Sequence, residues 1–277
     1  MTDEMNLDFE EIAFEDFCEQ VDAEQDDPLD ALPPAKKSMV FFFVVDVSTS
    51  MQGEKIRSLN AVMRDVLPDL VGIGGSETRI SVAVLAFSSG FEWITSEPML
   101  LEEYQNWKDL EADGVTDLGA ALTELSRKMS RKSFLQAPSL SYAPVVFLLT
   151  DGFPTDNYKA GLESLSRNNW FKHGIKIALA LGSGVDLDVL KEFTGDPEFV
   201  VQAGSIAQMK ALVRAISVTS SQIGSSSSPV TSSSRELTEK DVEGTKQEAM
   251  KEALKGIKED IMASDPSELE GFYESGW

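Results

Sequence analysis

The seven residues Met39–Val45 read MVFFFVV, with no polar position to mark a solvent-facing side. A continuous apolar run of that length is a strand buried on both faces, and such strands belong to parallel sheets. Val145–Leu149 is a second run of the same kind. Arg79–Phe87 alternates Ile80, Val82 and Val84 with smaller residues and predicts another strand, and Ile175–Leu181 and the weaker Phe199–Gln202 add two more. Phe91–Ile94 follows Ser88, Ser89 and Gly90 closely enough to be a hairpin partner, hence an antiparallel edge strand.

Between the strands the apolar spacing changes from two to three and four. Ile56, Leu59, Met63, Val66, Leu67 and Leu70 share one helical face, in a helix ended or kinked near Pro68. Leu118, Ala121, Leu122, Leu125 and Met129 mark a second helix, and further helices are predicted over Tyr158–Phe171, Leu187–Phe193 and Ile206–Val218. Strand and helix in alternation predict an α/β fold: a Rossmann-like, doubly wound, mostly parallel sheet with one antiparallel edge strand.

The flanks have a different composition. Residues 1–37 form an acidic tail with no Lys or Arg before Asp30, and low hydrophobicity with like charge predicts disorder. Phe14, Phe17 and Val21 nonetheless share helical spacing, so folding on a basic partner is the alternative. Residues 38–221 form the globular domain and 222–235 a serine-rich linker. Within 236–277, Leu237–Met262 is a charged helical segment with a thin apolar stripe of Ala249, Leu254, Ile257 and Ile261. The acidic, aromatic end from Glu268 to Trp277 is read from its composition as a solvated, disordered tail, with a ligand for the domain itself or for a neighbour as the alternative.

A formal charge of −23 argues against nucleic acid or an anionic membrane surface as the partner, since both call for a basic face. The single cysteine, Cys18, allows no internal disulfide, the first residues lack a basic and apolar leader, and no apolar run reaches bilayer length. These features together predict a cytoplasmic protein.

Chemistry concentrates at the strand ends. Asp46, Ser48 and Ser50 follow the first apolar run, Asp151 follows the second, and Thr116 lies in the loop that opens the Leu118 helix. In open α/β sheets the C-terminal strand edge is where ligands bind, and carboxylates with hydroxyls are the hard oxygen donors that Mg²⁺ prefers. Taken alone, the first of these segments serves equally well as a helix cap. Gly72, Gly74 and Gly75 precede a strand rather than follow one and are read as a turn; His173 sits where a cation ends a helix favourably. Glu102, Glu103, Asp109, Glu111 and Asp113 are read as a solvated rim.

The order Asp-x-Ser-x-Ser, then Thr, then Asp resembles the metal-ion-dependent adhesion site (MIDAS) of von Willebrand factor A domains, over roughly residues 38–221. The resemblance implies that Ser48, Ser50 and Thr116 are hydroxyl ligands and that Asp46 and Asp151 hold Mg²⁺, or Mn²⁺ or Ca²⁺, directly or through water. Thr49 and Val115 stand where bacterial members usually carry glycine. Within the family the chain looks closest to TerY-type proteins, associated with tellurium resistance and stress, which would imply a protein kinase and a metal-dependent protein phosphatase as partners. Hydroxyl ligands neutralise little of an ion's charge, so the reading is a protein-protein interaction module that accepts a partner's Glu or Asp carboxylate. The alternative is a Mg²⁺-dependent phosphatase or phosphotransferase. Against it, the second carboxylate of an Asp-x-Asp motif is replaced here by Ser48, and no general base is evident.

Overall fold

A computed structural model describes residues 37–71, 78–104, 107–136, 141–182 and 185–202, together with helical residues within 210–219 and 248–259. Strand β1 (Lys37–Asp46) begins the sheet, and a 3₁₀ turn (Thr49–Met51) leads into helix α1 (Glu54–Asp69). Strands β2 (Thr78–Ser88), β3 (Gly90–Trp93) and β4 (Met99–Leu100) follow, then α2 (Leu118–Lys128) and β5 (Val145–Thr150). The order continues with α3 (Tyr158–Ser166), α4 (Asn169–His173), β6 (Ile175–Ala180), α5 (Leu187–Thr194) and β7 (Val200–Gln202).

The seven strands lie in the order β3-β2-β1-β5-β6-β7, with β4 also pairing β2. All pairings are parallel except those of β3 and β4 with β2. β1 is central, and its alternation feeds two cores because successive side chains point to opposite faces. Phe41, Phe43 and Val45 pack with Leu59, Met63 and Val66 of α1, and Phe147 stacks on Phe43 with ring centroids 4.9 Å apart. On the other face Phe42 and Val44 pack with Leu118, Leu122 and Leu125 of α2 and with Leu190 and Phe193 of α5. With helices on both faces, neither side of β1 meets water, which is why its sequence shows no polar alternation.

The chain winds from β1 to β2 on one side and from β5 to β7 on the other. The strand order therefore reverses between β1 and β5, and their C-terminal ends flank the crevice where such sheets bind ligands.

Several sequence expectations are changed by the structure. Tyr158–Phe171 is two helices, because Asn168 caps α4 by accepting from the backbone N–H groups of Trp170 and Phe171. The same side chain donates to the carbonyls of Ser126 and Met129 at the end of α2, so the break is held by a tertiary contact. β4 pairs at Ser81 and Val82, too short a strand to show a period. α1 ends one residue after Pro68. In the helical stretch 248–256, Met250 and Leu254 are buried in the core beside α1, whereas Ala249 is exposed. Cys18, Gly72–Gly75, the acidic tail, the serine-rich segment and the aromatic C-terminal end lie outside the described residues.

Candidate metal centre

Asp46 ends β1 and is fully buried, with both carboxylate oxygens engaged. Oδ1 accepts from the backbone N–H of Ser48 at 2.9 Å, and Oδ2 accepts from the Thr150 hydroxyl at 2.5 Å. Thr150 Oγ1 in turn accepts from the Gly152 N–H at 2.9 Å. This arrangement follows from register: Val45 pairs with Leu149, so the next residues, Asp46 and Thr150, are level at the strand ends. Burial pushes the Asp46 carboxyl above its ordinary value; hydrogen bonds from Ser48 and Thr150 offset part of that, and the neighbouring Asp151 charge adds to it.

The 3₁₀ turn brings the two serines together, with Ser48 Oγ and Ser50 Oγ 3.0 Å apart. Asp151 follows β5 and is almost entirely buried. Its Oδ2 accepts from Lys55 Nζ at 2.9 Å, while its Oδ1 has no hydrogen-bond partner. An unpartnered buried carboxylate oxygen is costly, since it has given up water for nothing. A bound cation would relieve that cost, and the donors around it are oxygens suited to a hard ion. The residues present therefore fit a divalent cation.

Thr116 is brought to this edge by a set of loop contacts. The Thr49 N–H donates to the Gly114 carbonyl at 3.0 Å, and the Asp113 N–H donates to the Val47 carbonyl at 2.8 Å, tying the Thr116 loop to the β1 exit. Gly114 takes the left-handed turn at φ +82°, and a Cβ there would lie 2.5 Å from Ser89 Oγ. Gly114 thus carries a left-handed turn in this loop, and the next backbone N–H, that of Val115, donates to Ser89 Oγ. On the other side Thr116 N–H donates to Thr155 Oγ1 at 2.9 Å, and Thr116 O accepts from Thr155 N–H at 2.8 Å. Asp156 caps α2 by accepting from the Gly119 and Ala120 N–H groups, each at 2.9 Å. The loop after Asp151 thereby clamps the loop that carries Thr116.

The five residues that the family resemblance implies as ligands, Asp46, Ser48, Ser50, Thr116 and Asp151, lie on loops or strand ends at this one edge of the sheet. Lys55, Thr150, Thr155 and Asp156 were missed. A Thr directly before Asp151 and a Thr-Asp pair ahead of α3 were visible as polar residues, but nothing local said which loop they would meet. Among the described residues no three His, Cys, Asp or Glu side chains gather into an ion site. Of the expected acidic rim, Asp109 pairs with Arg64 at the surface, and Glu102, Glu103 and Glu111 are exposed. His173 ends α4, on an element that does not reach this edge.

Comparison with known proteins agrees with this architecture. The sequence matches the von Willebrand factor type A domain over residues 41–215. It is 27% identical over 203 residues to human inter-alpha-trypsin inhibitor heavy chain H6, a match covering 68% of this chain and 15% of that protein. The chain thus spans a small part of that relative's length. Among solved structures, proximal thread matrix protein 1 from the mussel byssus, with a zinc-occupied MIDAS motif, aligns with a TM-score of 0.51 at 16% identity, covering 65% of this chain and 47% of that one. A second crystal form of the same protein aligns with a TM-score of 0.50, at 16% identity and the same coverage. At such identity the likeness speaks for the fold.

Proposed function

This chain belongs to the von Willebrand factor type A domain family, and from that membership we propose that its sheet edge is a divalent-cation site through which it binds a partner protein's carboxylate. The observation that carries the reading is Asp151 Oδ1, buried and unpartnered beside Asp46 and the Ser48–Ser50 hydroxyl pair. Ser48, Ser50 and Thr116 would supply hydroxyl oxygens, and Asp46 and Asp151 negative charge, directly or through water. When bound, Mg²⁺, Mn²⁺ or Ca²⁺ supplies an electrophilic position that a Glu or Asp side chain of the partner can fill. The zinc-occupied MIDAS motif of the mussel protein supports a divalent ion at the corresponding motif.

The chain's own residues prepare the site for that role. Ser48 N–H and Thr150 hold the Asp46 carboxylate in one orientation, so little ordering remains to be done on binding. Val115 and Phe153 lie on the Thr116 and Asp151 loops and are about half exposed, at 49% and 51%, so an apolar group flanking the partner's carboxylate would find a surface there. This route also lets an acidic protein, with a formal charge of −23, capture another acid. A non-enzymatic role is part of the proposal, because Ser48 occupies the place of the second carboxylate in an Asp-x-Asp phosphatase motif. The kinase and phosphatase partners of TerY-type proteins remain candidates that rest on the sequence resemblance alone.

Titration calorimetry with Mg²⁺ and Mn²⁺ tests the site. Wild-type protein should bind one ion, and Asp46→Ala and Asp151→Ala should lose it while keeping the circular dichroism of the native fold. Unchanged binding in both variants would remove the proposed ligand set. A metal-dependent phosphoesterase activity abolished by Asp46→Ala would replace the binding reading with the enzymatic one.

A further inference from the structure

Lys55 is the second residue of α1, in the turn where the helix dipole favours anions and disfavours a cation. Its ammonium group nevertheless turns toward the sheet edge and donates to Asp151 Oδ2 at 2.9 Å. The two ends of this ion pair differ in exposure, the Asp151 side chain at 2% and that of Lys55 at 29%. Gly182, in the loop after β6, lies against the lysine stem: a Cβ there would lie 2.8 Å from Lys55 Cε, and the backbone at φ +92° suits glycine. Helix position gives the lysine no reason to sit there, so the attraction comes from Asp151, and the loop leaves room for the stem.

From this geometry we propose that Lys55 is a tethered cation that neutralises Asp151 in the ion-free protein and is displaced when a divalent ion binds. The inference rests on the metal-site reading above. Lysine suits the role because its ammonium is a compact charge on a flexible stem, and the exposed end of this pair can withdraw into water. Asp151 is then never left as a bare buried charge, since one cation replaces another. Divalent affinity is held below what the oxygens alone would give, so the site fills only above a threshold ion concentration.

Mg²⁺ titration of wild type, Lys55→Met and Lys55→Gln, with thermal unfolding measured in chelator and at saturating Mg²⁺, tests the proposal. Both variants should bind Mg²⁺ about ten- to a hundredfold more tightly, the scale of one charge-assisted hydrogen bond no longer broken on binding. Their unfolding midpoints should fall below wild type in chelator and match it at saturating Mg²⁺, because the displaced lysine contributes nothing to the loaded state. Equal or weaker Mg²⁺ affinity, or an equal loss of midpoint with and without Mg²⁺, overturns displacement. The wild-type protein offers a check that needs no folded variant: the Lys55 side-chain ¹³Cε resonance should move toward its solvent-exposed position on Mg²⁺ addition, and a resonance that stays in place refutes the proposal. If neither wild type nor either variant binds Mg²⁺ or Mn²⁺, the metal-site reading fails and takes this inference with it. Binding by wild type that the variants leave unchanged removes only the role of Lys55.

Discussion

Thr150 donates its hydroxyl proton to Asp46 Oδ2 at 2.5 Å, joining two residues 104 positions apart at the ends of adjacent strands. The same hydroxyl oxygen accepts from Gly152 N–H, so one side chain orients the β1 carboxylate and the start of the Asp151 loop together.

Thr150→Val keeps the shape and removes both bonds. Stability in chelator should drop by about 1–3 kcal/mol, the cost of leaving buried polar groups unpaired, and divalent affinity should weaken with it. Urea unfolding and Mg²⁺ titration read the two effects; an unchanged urea midpoint would mean that Asp46 is oriented by Ser48 alone.

Asp46 also makes a pH prediction for the ion-free protein. Burial raises its carboxyl above the ordinary 3.8, so in the window above 3.8 the folded protein holds a proton that the unfolded chain has released. That contribution to stability is present in full below 3.8 and is lost as pH rises through the folded value. Asp46→Asn cannot titrate, so in chelator its stability should improve relative to wild type as pH rises across this window. Parallel stability curves for the two proteins would show that burial does not perturb this group.

Helices α2 and α3 meet at glycines. A Cβ on Gly161 would lie 2.3 Å from the Gly119 carbonyl oxygen, which is backbone and cannot rotate away. Gly161→Ala should therefore destabilise the fold by about 1–3 kcal/mol through overpacking. Because α2 follows Thr116 directly, Mg²⁺ affinity should fall as well. Thermal unfolding and titration calorimetry test both, and a neutral substitution would mean the helices can part without cost.

The helical stretch 248–256 is bound to the domain by Met250 and Leu254 in the core beside α1, and by an ion pair of Lys251 with Asp196 at 2.6 Å. Leu254→Ala should cost about 2–5 kcal/mol, as for other buried leucines. Lys251→Ala, which removes a partly exposed pair screened by solvent, should cost far less than the loss of the buried leucine. A Leu254→Ala protein with wild-type urea midpoint would show that this stretch does not dock in solution.

How far the sequence reaches can be traced residue by residue. MVFFFVV is buried on both faces because no water-facing side was written into it, and that local fact placed Asp46 at a strand's end before any neighbour was known. The Val145 run did the same for Asp151, and the spacing from Leu118 to Met129 identified the buried face of the helix behind Thr116. The break at Asn168, by contrast, depends on carbonyls about 40 residues earlier in α2, and of the stripe read as Ala249, Leu254, Ile257 and Ile261 the structure buries Leu254 but covers Met250 in place of Ala249, because packing decides which side is covered; Ile257 and Ile261 lie outside the described residues. Periodicity and apolar content are local, and they determined the strands, most helices and the residue types at the edge. Which hydroxyl meets Asp46, which loop clamps Thr116, and that Lys55 reaches Asp151 across 96 positions were decided by the strand order, because a polar group's partner is whatever the packed sheet brings within hydrogen-bonding distance.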